Sequence, residues 1–70
     1  MDYDKIYAEC VDTWQLIDTM NTEINGLYCK IEQFSNKITN RNIYFFFVND
    51  IIIGVGDEYI QCINIFNEEY

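Results

Sequence analysis

Residues 3–38 read YDKIYAECVDTWQLIDTMNTEINGLYCKIEQFSNKI, and the fold depends on how this stretch is taken. Steps of three and four residues meet Tyr3, Ile6, Cys10, Thr13, Ile17, Met20, Ile24, Leu27, Ile31, Phe34 and Ile38, with Thr13 the one polar member. Alternating three–four spacing sets such side chains on a single stripe of an α-helix. The frame predicts one long amphipathic helix over residues 3–39. Asp2 or Asp4 would cap its free N–H groups, and Lys37 and Arg41 would suit its C-terminal end, with the exit at Asn40–Asn42.

Asn25-Gly26 interrupts the pattern. A Gly costs about 1 kcal/mol inside a helix relative to Ala, and Asn-Gly often marks a turn. Either Gly26 ends a first helix, or it occupies an outward position on a continuous one. The frame passes Ile24, Leu27 and Ile31 without slipping, so a continuous helix, bent if anywhere at Gly26, is the expectation.

Beyond residue 42 the periodicity changes. Ile43–Val48, Ile51–Val55 and Tyr59–Phe66 are β-branched and aromatic runs. Asn49-Asp50 suits a type I′ turn, and Gly56-Asp57 has Gly where a type II′ turn needs it. The expected fold is therefore α+β, a single domain. A helix over 3–39 is followed by a three-stranded antiparallel meander over 43–48, 51–55 and 59–66. One sheet face would carry Tyr44, Phe46, Val48, Ile51, Ile53, Val55, Ile60, Cys62 and Phe66. The other, with Ile43, Phe45, Phe47, Ile52, Gly54, Tyr59, Gln61, Ile63 and Ile65, is also largely apolar and needs a cover.

Helix length makes the same demand. Thirty-six helical residues would run ~54 Å, against ~20–24 Å for strands of six or seven residues. Excess stripe on a continuous helix implies a homodimer or higher homo-oligomer. Ile17, Met20, Ile24, Leu27, Ile31, Phe34, Phe45 and Phe47 are the candidate self-association residues. A 70-residue chain buries only about 60% of its unfolded surface, so a partner subunit would also aid stability.

Charge bears on function. Twelve acids against four bases give −8. Residues 1–24 hold six acids and one base, residues 25–42 one acid and three bases, and residues 43–70 five acids and no base. A nucleic-acid backbone is bound through Lys and Arg, so direct nucleic-acid binding is not expected. Anionic membranes are disfavoured likewise, and no apolar run approaches the ~18 residues of a spanning helix. Cys10, Cys29 and Cys62, odd in number and widely spaced, signal neither a disulfide framework nor a zinc site. A cytoplasmic location is expected.

The chain has no His, the commonest general base and metal ligand. Ser35 is the one serine, and no glycine pattern resembles a phosphate-binding loop. The expectation is a protein without catalysis, cofactor or metal. Its acids would face a protein partner with a basic surface, the outward Asp4, Asp12, Asp18 and Glu32 joined by Asp57, Glu58, Glu68 and Glu69. Carboxylates on a rigid frame can imitate phosphates. The reading favoured is an inhibitor, of phage or mobile-element type, that blocks a nucleic-acid-handling host defence enzyme. The alternative is a homo-oligomeric structural or adaptor protein, or an accessory subunit of a larger complex.

Overall fold

A computed structural model describes residues 2–69, the side chain of Glu69 excepted. The elements run α1 (Tyr3–Thr13), β1 (Gln15–Ile24), β2 (Leu27–Asn36), β3 (Arg41–Val48), β4 (Ile51–Gly56) and α2 (Tyr59–Glu69). The strands form one open antiparallel sheet in the order β1-β2-β3-β4. The mixed α+β class stands. The single long helix and the three-stranded sheet do not.

The helix over 3–39 stops after three turns. Asp2 caps α1 as expected, its Oδ1 accepting from the Lys5 N–H at 3.1 Å. At the other end Trp14 is extended (φ −104, ψ 168), and its N–H closes on the Cys10 carbonyl at 2.9 Å. Asn25-Gly26 then acts as the turn of a hairpin. Asn25 has φ 53 and Gly26 φ 78, and both signs are those a type I′ turn requires. Ile24 faces Leu27 across this turn, and pairing continues to Thr19 and Glu32 and beyond. Six of the eleven positions of the supposed heptad stripe thus lie on two paired strands. Lys37 and Arg41 flank the β2–β3 turn rather than a helix end, and Asn40 holds that turn at φ 57.

The strand reading of 43–48 and 51–55 holds. The Asn49-Asp50 turn holds too, with φ 49 and 67. Residues 59–66 do not form a strand. They belong to α2, where the fully buried Cys62 and the buried Phe66 stand four apart on its inner face. Gly56 ends β4 without a positive φ, so there is no type II′ turn at Gly56-Asp57.

The second apolar sheet face is covered from within the chain. Cys10 of α1, with Ile6, Tyr7 and Trp14 beside it, packs on Phe34, Phe45 and Phe47. On the opposite face Cys62 and Phe66 of α2 pack with Cys29, Ile31, Phe46 and Val48. The sheet is a middle layer between two helices, which is why β3 is apolar on both faces. An irregularity between Phe46 and Phe47 shifts the register with β4. It moves Val55 to the side of Phe45 and Gly54 to the side of Phe46, the reverse of uninterrupted alternation. Gly54 then lies under α2, where an added Cβ would sit 2.6 Å from Ile65 Cδ1.

Both helices pack on β4, and α2 also packs on β3. The β1 side of the sheet is the least covered, touched by α1 and by the core only at its ends. Residues 15–23 of β1 are exposed without a break, and the molecule extends 38 Å along its longest axis.

Candidate interaction surface

Four features carry chemistry: a buried carboxylate under α1, the outer side of α1, a groove beside α2 and the free edge of β1. The carboxylate is Glu32, expected to point outward and found 8% exposed. One oxygen accepts from the Tyr7 hydroxyl at 2.6 Å, and the other pairs with Lys30 Nζ at 3.3 Å. Lys30 Nζ lies 4.4 Å from the centroid of the Phe47 ring, and the Tyr7 ring meets Phe34, Phe45 and Phe47 edge-on. Burial first, then the hydrogen bond to Glu32 and its charge, push the Tyr7 hydroxyl up to about 12. Glu32 therefore fastens α1 to the sheet and does not belong to a partner surface.

Asp4 and Asp12 do lie outward on α1, with Glu9 exposed nearby and Asp2 at its cap. Eight residues separate Asp4 from Asp12, about 12 Å along the helix. Lys5 is the one cation among residues 2–13. Asp18 is exposed, but on β1 rather than a helix, and Asp57 and Glu58 are exposed in the link before α2. Glu68 is exposed on α2, and Glu69 lies outside the described side chains. The acids expected to act together are thus spread over α1, the hairpin and the C-terminal segment.

The expected self-association residues also divide. Ile31, Phe34, Phe45 and Phe47 are buried in this chain's own core, and Ile24 and Leu27 pack against it. A partner cannot reach the buried four. Ile17 and Met20 remain, 49% and 46% exposed on β1. The helical frame hid the reason, since its stripe mixes positions that a strand sends to opposite faces.

Between β1 and α2 runs a groove of two adjoining hollows, of about 250 and 120 Å³. Met20, Ile31 and Tyr59 line both, and Asp18 opens the larger. Each is below the ~300 Å³ at which ligand pockets begin, so the groove suits side chains rather than a small molecule. Burial pushes the Cys62 thiol up to about 11, and burial with the Glu9 charge pushes Cys10 up. Thiols held protonated in this way are poor nucleophiles. Among the described residues no cluster of His, Cys, Asp and Glu is placed to hold a metal ion, and no helix is long and apolar enough to cross a membrane.

Comparison with protein-family models, with curated proteins and with solved structures gave no match.

Proposed function

We propose that the chain is a non-enzymatic acidic binding protein that docks on a basic surface of a protein partner. The observation that carries this reading is the outer side of α1. Asp2, Asp4, Glu9 and Asp12 stand exposed along it against the single cation Lys5. The underside of α1 is fixed by Tyr7 and Cys10, so these carboxylates stand on a rigid support. Such a row favours a groove built to hold phosphates and speeds encounter with it. The partner class proposed is a nucleic-acid-handling host enzyme, and the mode is inhibition by occupying its basic groove inside the cell, as for a phage or mobile-element protein.

The test is capture of bacterial lysate proteins at low salt, followed by nuclease assays on any basic enzyme recovered. The expected result is inhibition that weakens as salt rises. It should fall at least tenfold when Asp4→Asn, Glu9→Gln and Asp12→Asn are combined. A triple variant that inhibits as well as the parent overturns the reading.

A second reading, a homo-oligomeric structural or adaptor protein, is favoured by one observation, the bare edge of β1. There the product would be the assembly itself, and the same triple variant would leave it intact.

A further inference from the structure

Hydrogen bonding along the hairpin fixes what the β1 edge can do, independently of any basic partner. In a two-residue hairpin the residues flanking the turn, here Ile24 and Leu27, exchange backbone hydrogen bonds, and bonded and non-bonded pairs alternate from there. Thr22, Met20 and Asp18 are then bonded to β2, while Glu23, Asn21 and Thr19 turn their N–H and C=O groups outward. The pairing of Tyr28 agrees. Its backbone N–H and C=O are engaged by Asn49, on the side away from β1.

Edge strands in native proteins are blunted with charged side chains, Lys above all, with Pro, with bulges or with a covering element. Of these the run from Asp18 carries only the charges of Asp18 and Glu23. β1 contains neither Lys nor Pro. Its one irregularity falls between Leu16 and Asp18, which leaves Asp18–Ile24 as a regular run. The run stays exposed up to Glu23, although its α2 side forms one wall of the groove and Asn21 Oδ1 accepts from the Tyr28 hydroxyl at 2.5 Å.

We propose that Asp18–Ile24 pairs antiparallel with the same segment of a second copy about a two-fold axis through Asn21, joining two four-stranded sheets into one. The regular run is symmetric about Asn21, so this register uses all of it. It sets outward-bonding residues opposite one another, Asn21 against Asn21 and Thr19 against Glu23, as a ladder requires. Met20 then faces Thr22, and Asp18 faces Ile24. No carboxylate opposes another. Like residues four apart across the axis, the two Glu23, are separated by ~13 Å along the strands, and the two Asp18 by ~20 Å. Both exceed the ~8 Å screening length at physiological salt. The obstacles that remain are Asp18 beside Glu23 of the other copy, one position apart on opposite faces of the ladder, and the overall charge of −8 on each copy; salt screens both. Self-pairing therefore strengthens with salt, opposite in sign to binding of a basic partner.

Sedimentation equilibrium of the intact chain across concentration and salt reads the assembly directly. The mass is expected to rise from 8.4 kDa towards twice that value, further at high salt. Asn21→Cys locates the contact, because Cys10, Cys29 and Cys62 are all buried. Paired residues on the axis lie at about 5.5 Å between Cα atoms, within disulfide reach. Under mild oxidation Asn21→Cys should cross-link at least tenfold faster than Glu23→Cys, whose copies lie too far apart. Thr19→Pro removes an outward N–H and should return the mass to 8.4 kDa with the circular dichroism unchanged. A mass fixed at 8.4 kDa at the highest concentration and salt overturns the proposal, as does equal cross-linking of Asn21→Cys and Glu23→Cys. The cross-linking comparison decides even if Thr19→Pro unfolds the chain.

Discussion

At the scale of the residue, Glu32 shows how one carboxylate changes meaning with its surroundings. On a helix surface it would be one acid among several. Beneath α1 both of its oxygens are engaged, by Tyr7 and Lys30. Tyr7→Phe keeps the ring contacts and removes a donor to a charged group. It should cost about 1.5–3 kcal/mol, measured by urea unfolding. The pH dependence has a definite sign. The Tyr7 hydroxyl is raised from 10.0 to about 12 on folding, so its contribution is complete below pH 10 and disappears as pH climbs to about 12. Cys62, raised from 9.0 to about 11, adds a loss of the same sign that begins nearer pH 9. Alkaline titration of the wild type and Tyr7→Phe should show a shallower fall in the variant above pH 10. Phe45, wholly buried where α1 meets the sheet, carries a larger share. Phe45→Ala should cost about 3–5 kcal/mol. At the ~0.05–0.15 kcal/mol per residue of a typical domain, that is a large share of the stability of a 70-residue chain, as a melting curve will show.

At the scale of the element, two glycines separate backbone geometry from packing. Gly26 sits at φ 78 with open space around its Cα, so Gly26→Ala meets only conformational strain, about 1–2 kcal/mol. Gly54 has no such φ, but an added methyl would press on Ile65 of α2. Gly54→Ala should cost about 1–3 kcal/mol through overpacking. Thermal melts of both variants check the order. The elements also show which signals were legible. Asn49-Asp50 and the runs before and after it read correctly as a hairpin because turn chemistry and β-branched content agreed there. Asn25-Gly26 carried an equally strong turn signal but was outweighed by an unbroken three–four frame. That frame was a coincidence of spacing. On β2, Leu27, Cys29 and Ile31 already alternate, as they do on one face of the strand found. In α2 the order of error is reversed. Its isoleucines gave a strand reading, while Cys62 and Phe66 stood at helical spacing.

At the scale of the whole molecule, charge and burial act together. A net charge of −8 on 70 residues makes the folded chain repel itself, so added salt should raise its melting temperature. Differential scanning calorimetry over a salt series tests this. The three thiols are buried in two clusters on opposite faces of the sheet, so their reaction with a disulfide reagent should follow unfolding. Thiol labelling in urea is expected to track the loss of circular dichroism. Dimer formation through β1 would delay both with rising concentration.

Composition, length and charge by themselves determined a small chain rich in apolar residues, surplus in acids and lacking histidine. These are sums over the chain and do not depend on where any residue lies. Turn chemistry added the β3–β4 hairpin, because the φ angles of Asn49 and Asp50 are a local matter. Only the tertiary structure decided that residues 15–36 are strands, that α1 and α2 take opposite faces, and that Glu32 is buried. A short segment can satisfy either a helical or a strand pattern, and the choice falls to whichever buries the most apolar surface. Here that surface is the two-sided β3, which two short helices and a long hairpin cover and one long rod could not.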